Sequence, residues 1–299
     1  MNDISKNIVG EKEIASLVYH DIFDYPLNLR DLVRWQAGRK VKNLPARLDS
    51  AKRAGRKDIK HIVYSYEYRD GYYFIKDREG LILKSLLKKR ISAKKMKLAL
   101  KRANLLKHIP TIRMLAVSGA LAMENSKEES DIDFIIITQK GTLWTSRLIC
   151  LILLKTLGIP VRRHGEKIQR DKLCLNMWFD ESNLIWSKKN RNIYTAHEIL
   201  QIKPLVNKDK TYEKFIAKNS WAKDYWPNAV RVRSTKGIVH SSSYLCTMFY
   251  VLCTAIFERP AYLLQKLYMR KKKTREVVTK TRAIFHPIDL SEIVLSKLR

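Results

Sequence analysis

The sequence predicts an α+β chain in three parts, and three observations predict it. Residues 11–80 hold three helix-like stretches followed by two strand-like runs around an Asp-Gly turn. Residues 110–180 alternate apolar strands with helices, the pattern of an α/β-type core on a mixed sheet. Residues 187–299 read as helical and strongly basic. The expected boundaries are 1–80, 81–186 and 187–299. The 299 residues are 45% hydrophobic and 29% charged. That is enough to bury real cores, and it excludes global disorder, collagen-like chains and small disulfide-stapled scaffolds.

Glu11–His20 carries Ile14, Leu17 and Val18 at helical spacing. A turn-like stretch, DIFDYPLN, leads to Asn28, placed to cap a second helix from Leu29 to about Ala37. A third helix follows Pro45 through Leu48 and Ala51 to about Gly55. Ile62–Tyr68 and Tyr72–Ile75 read as strands around Arg69-Asp70-Gly71, a strong short hairpin signal. Three helices and a hairpin spell a winged helix-turn-helix. From Arg34 to Lys60 ten basic residues stand against two acids, Asp49 and Asp58. Those charges cover the third helix, the recognition helix of such modules. Arg53, Arg56 and Lys57 are its candidate nucleic-acid contacts; a protein-binding or interdomain role is the alternative.

Leu81–His108 reads as a long basic helix with a packing face of Leu83, Leu86, Leu87, Ile91, Leu98, Leu105 and Leu106, and Pro110 ends it. Ile112–Val117 is an apolar strand, Ser118-Gly119-Ala120 a tight turn, and Leu121–Asn125 a short helix. After the polar loop Ser126–Ser130, Asp131-Ile132-Asp133 opens the strand Phe134–Thr138. Gly141–Leu157 is an apolar helix stopped by Gly158 and Pro160, and Leu173–Phe179 is a further strand. Residues 187–226 read as helical, with Lys223–Ser234 a loop, and residues 241–282 as helical, first apolar and then basic.

Lys+Arg less Asp+Glu is 59 − 29, a formal charge of +30. Such an excess calls for an anionic partner: nucleic acid, a nucleotide or an anionic membrane surface. Cys150, Cys174, Cys246 and Cys253 form no CxxC pair and read as buried hydrophobes in a reducing cytosol, so a cytoplasmic location is expected. The first residues, MNDISKNIVGEKE, show no apolar signal core. Ser241–Phe257 is uncharged but short of the roughly 18–20 residues of a membrane span, so no span is expected.

The window that carries chemistry is LAVSGALAMENSKEESDIDFIIIT, Leu115–Thr138. A strand ends in a glycine turn, and two aspartates one residue apart follow at the mouth of the next strand. Period-2 geometry puts Asp131 and Asp133 on one face. Paired carboxylates are hard oxygen ligands for Mg²⁺ held against substrate phosphates. Gly119 lets the backbone approach closely, and the short helix after it points N–H groups at an anion.

These residues resemble the signature of the nucleotidyltransferase superfamily that includes DNA polymerase beta, and most of all its minimal bacterial and archaeal members. The match runs through Gly119, Ala120, Ser130, Asp131, Ile132, Asp133 and Phe134. The resemblance implies attack of an acceptor hydroxyl on the α-phosphate of a nucleoside triphosphate, with pyrophosphate leaving. Asp131 and Asp133 would hold two Mg²⁺ ions, or Mn²⁺ in their place, and Ser118–Ala120 and Ser130 would bind the nucleotide. Two positions depart from the pattern. Ala120 replaces the usual serine. The third carboxylate is expected on the strand KLCLNMWFD, whose shared face of Cys174, Asn176, Trp178 and Asp180 offers Asn176 at the centre and Asp180 at the end. The expected function is therefore Mg²⁺-dependent nucleotidyl transfer, with RNA or DNA a further partner. The alternatives are a nucleic-acid-binding regulator with a degenerate core and a peripheral membrane protein using the apolar–basic residues after 241. His164 and His197 lack ligand spacing, and His197-Glu198 reads as a packing or surface pair.

Overall fold

The computed structural model describes residues 10–41, 65–163, 165–230, 244–270, 277–285 and 290–298. Its smaller sheet has β3 (Tyr72–Ile75) between β1 (Leu27–Asn28) and β2 (Tyr66–Arg69), all antiparallel. The larger has six strands in the order β7 (Lys203–Asn207), β4 (Ile112–Val117), β5 (Ile132–Thr138), β6 (Leu173–Asp180), β9 (Arg282–Ile284) and β8 (Val277–Thr279). Here β5 and β6 run parallel and the other neighbours antiparallel. The chain is thus α+β with a mixed sheet. Its helices are α1 (Glu11–Asp21), α2 (Leu29–Arg34), α3 (Gly80–Leu106), α4 (Gly119–Ala122), α5 (Leu143–Thr156), α6 (Ile193–Gln201), α7 (Thr211–Lys218), α8 (Tyr244–Arg270) and α9 (Leu290–Leu298).

Local chemistry sets several of these boundaries. Asn28 caps α2 by accepting from the Asp31 N–H at 2.8 Å, and Asn192 caps α6 through the Thr195 N–H at 3.0 Å. Asp70 and Gly71 both have positive φ, +53° and +83°, as a two-residue hairpin turn matched to strand twist requires.

The structure departs from the expected elements in three places. On α3 the buried stripe is Leu81, Ile82, Ser85, Ser92, Lys95, Ala99, Arg102, Ala103 and Leu106, while Leu83, Leu86 and Leu87 are exposed. The reason is polar: Lys95 Nζ donates to the carbonyls of Glu128 and Ser130 and to the Asp171 carboxylate, and Arg102 donates to the Asp171 carbonyl. Residues 203–207, expected as helix, form β7. Pro204 disfavours helix and suits the edge of the sheet where β7 lies. Residues 277–282, also expected as helix, fall in the β8–β9 hairpin, where Val277, Val278 and Thr279 bring β-branched side chains. The expected third helix, with Arg53, Arg56 and Lys57, lies outside the described residues, as does His164.

Two hydrophobic clusters flank the large sheet. On one face Met114, Ala116, Ile135, Ile137, Met177 and Phe179 pack with Leu17, Tyr19, Trp35, Phe215 and Trp226. On the other Leu115, Val117, Ile132, Phe134, Ile136 and Trp178 pack with Ala99, Leu106, Trp144, Leu154 and Met269. The first cluster draws residues from all three expected ranges. Among the described residues no helix is long and apolar enough to cross a membrane.

Candidate functional site

The site lies on the first face, where β5 begins. β4 delivers the chain to Ser118 and Gly119, and β5 starts at Ile132 beside it, so the Ser118 N–H donates to the Asp133 carbonyl at 3.1 Å. Gly119 has φ +58°, and a Cβ there would stand 3.0 Å from Asp133 Oδ2. Both conditions call for glycine. Asp131 precedes the strand and Asp133 lies in it, and one cavity of about 430 Å³ receives both.

On β6 the register against β5 slips by one residue between Cys174, opposite Asp133, and Met177, opposite Ile135. This bulge breaks the alternation expected along Cys174–Asp180. Cys174 comes to the aspartate pair, and ligand atoms of Asp131, Asp133 and Cys174 lie within 4.8 Å of one another. Asn176 lines the cavity, its carbonyl held by the Phe285 N–H at 2.9 Å. Asp180 is elsewhere: its carboxylate accepts from the Gly141 N–H at 2.6 Å and the Ser182 N–H at 2.9 Å, closing turns at the far end of the strand. Ser118 and Ala120 line the cavity. Ser130 does not; its hydroxyl accepts from the Lys127 N–H at 3.1 Å and shapes the loop before Asp131.

Arg162 completes the acidic end. Its Nη1 lies 2.7 Å from Asp131 Oδ2 and 3.7 Å from Cys174 Sγ. Burial, then the Asp131 charge, raises the Asp133 carboxyl to about 7. Burial and the two carboxylates push the Cys174 thiol up, leaving it neutral.

The opposite wall was not legible as a site. Tyr194, His197, Glu198 and Gln201 of α6 all line the cavity. Their spacing of i, i+3, i+4 and i+7 is one helical face, and a polar stripe on an otherwise apolar helix was the signal available. Burial, then the Asp133 charge, raises the Glu198 carboxyl to about 8, against a hydrogen bond from Gln201. The last turn of α1 adds His20, and the turn after it adds Phe23 and Tyr25, docked by Asn125 Nδ2 donating to the Phe23 carbonyl at 3.0 Å. His20 Nδ1 bonds the Ser16 carbonyl at 2.8 Å, so that nitrogen carries the proton. Burial lowers His20 to about 4, so its neutral Nε2 accepts from His197 Nε2 at 3.2 Å. His197 in turn stacks on Trp35, ring centroids 3.9 Å apart.

A second cavity of about 820 Å³ shares Arg162 and Asn176 with the first. Arg147, Lys155, Arg163 and Lys172 also line it, against one acid, Glu166.

Comparisons with protein-family models, curated proteins and solved structures found no match. What the site can do rests on its own chemistry. It joins a carboxylate pair pressed against a glycine turn, a guanidinium, and a polar helix face carrying a third carboxylate.

Proposed function

We propose that this chain is a nucleotidyltransferase, taking a nucleotide from a nucleoside triphosphate and placing it on an acceptor hydroxyl. One observation carries the reading. Asp131 and Asp133 open a strand against a glycine turn so close that a methyl group at Gly119 would meet the Asp133 carboxylate. The donor set fits a hard divalent cation: two carboxylates supply oxygen ligands, and the neutral Cys174 thiol competes poorly for Mg²⁺. Asp131 and Asp133 would hold the ion, which when bound would neutralise triphosphate charge and polarise the α-phosphate. Ser118, Gly119 and Ala120 receive the phosphates. Arg162 supplies a positive charge beside them.

In the reaction the acceptor oxygen bonds to the α-phosphorus, the bond from that phosphorus to the α–β bridging oxygen breaks, and pyrophosphate leaves. Of the two positions expected to hold a third carboxylate, Asn176 lines the cavity without one and Asp180 is engaged at the Gly141 turn. Glu198, from the facing helix, is the remaining carboxylate of the cavity and takes the acceptor's proton. The basic second cavity lies beyond Arg162 and suits an anionic acceptor such as RNA.

The test is incubation with each labelled nucleoside triphosphate and Mg²⁺ or Mn²⁺, following pyrophosphate release. The paired substitution Asp131→Asn with Asp133→Asn should abolish metal-dependent triphosphate binding; unaltered binding sinks the assignment. The second reading, a nucleic-acid-binding regulator with a degenerate core, draws on Asn176 lining the cavity where a carboxylate is expected. It predicts that nucleic-acid binding survives the paired substitution and that pyrophosphate is never released.

A further inference from the structure

The polarity of α8 is inverted. In its second half the residues packed toward α5 are Thr254, Glu258, Ala261, Gln265 and Met269, polar or small for the most part. Their polar groups are satisfied there. The Glu258 carboxylate accepts from the N–H groups of Trp144 and Thr145 at 2.8 and 2.9 Å and from the Thr145 hydroxyl at 2.9 Å. Gln265 Nε2 donates to the Trp144 carbonyl at 2.8 Å. The outward residues are Ile256, Phe257, Leu263, Leu264, Leu267 and Tyr268, each 56–72% exposed. At 100° per residue they fill an arc of about 140°, continuous along the helix. Scattered exposed apolar side chains are ordinary, but a contiguous stripe of six marks an interaction surface.

Charge identifies the occupant. Arg259 and Lys266 fall together along one edge of the stripe, and the sequence continues Arg270-Lys271-Lys272-Lys273. The stripe itself carries no acid, because Glu258 is turned inward to α5. A second copy would carry the same net charge of +30 over its whole chain and the same cations along its stripe, and be repelled. A nucleic acid would gain nothing from leucine and isoleucine. An apolar arc bordered by cations is the arrangement that lies in the headgroup region of an anionic bilayer, parallel to its plane. We propose that the exposed face of α8 binds an anionic membrane surface, lying on it without spanning it.

The experiment is co-sedimentation of the full chain with vesicles of phosphatidylcholine and phosphatidylglycerol in equal parts, and with phosphatidylcholine alone. The wild type should pellet with the mixed vesicles and stay in solution with the neutral ones. Leu264→Glu with Leu267→Glu should remove pelleting while leaving the circular dichroism spectrum and melting temperature unchanged, because both residues are exposed. Arg259→Gln with Lys266→Gln should weaken partitioning by about fivefold per charge. Three results overturn the proposal. In one, the wild type ignores anionic vesicles. In another, the leucine variant pellets as well as wild type. In the third, the wild type is a dimer in ultracentrifugation that the same variant makes monomeric.

Discussion

At Asp133 a single carboxyl is asked to do opposite things. Folding raises it from an ordinary 3.8 to about 7, so the folded chain holds this proton more tightly than the unfolded chain. Stability from this group is full below pH 4 and is lost as pH rises toward and through 7. Asp133→Asn removes the loss. In thermal melts the variant should gain about 1–3 kcal/mol over wild type at pH 8, and the gain should shrink toward pH 5. A variant that is equally stable or less stable at pH 8 would contradict the burial argument. Gly119 gives the converse case. Gly119→Ala forces a methyl group into the left-handed region, at about 1–2 kcal/mol, and against Asp133 Oδ2. Chemical denaturation should show that loss, and triphosphate binding should fall with it.

The elements around the cavity, β5 and β6 on one wall and α6 on the other, differ in how much of them could be read from sequence. β5 could be read: its paired aspartates, glycine turn and apolar run are local signals that agree. β6 could be read as a strand but not as a ladder, because the bulge at Leu175 and Asn176 depends on pairing with β5 and leaves no local mark. Alternation therefore put Asn176 and Asp180 on a face with Cys174, whereas the register brings Cys174 to the aspartates and leaves Asp180 to the Gly141 turn. The α6 stripe was present in the sequence as Tyr194, His197, Glu198 and Gln201, but spacing alone does not say whether a polar face meets water or a cavity. Glu198→Gln tests its role. It should leave metal-dependent triphosphate binding within a few-fold and lower turnover by about 10²–10⁴. It should also flatten the rising limb of the pH–rate profile; an unchanged profile would make Glu198 structural only.

Over the whole molecule, three expected units share one hydrophobic cluster on the site-bearing face. Trp35 is fully buried in that cluster and stacked on His197 of α6. Trp35→Ala should cost about 3–5 kcal/mol and shift one cooperative denaturation midpoint that far-ultraviolet and tryptophan signals report together. Two separated transitions would show that the residues before 80 fold apart from the rest. The shared cluster was hidden from the sequence because apolar periodicity says which face of a helix is buried, never against what. The same limit applies to α8. Its apolar residues imply burial by composition, and only its packing on α5 through Glu258 and Gln265 leaves them facing outward.

The order of strands in the large sheet has a consequence for biosynthesis. β6 pairs with β5 on one edge and with residues 282–284 on the other. The Asn176 carbonyl on the bulge waits for the Phe285 N–H. A ribosome that has delivered β6 must still translate α6, β7, α7 and α8 before that edge is covered. The nascent chain therefore carries an open strand edge, a template for mispairing, through much of its synthesis, and long-range closure of this kind is slow. The candidate active centre is among the last regions to be completed. A stalled chain with residues through 260 outside the tunnel should be protease-sensitive between β5 and β6, and one with residues through 298 outside should be resistant.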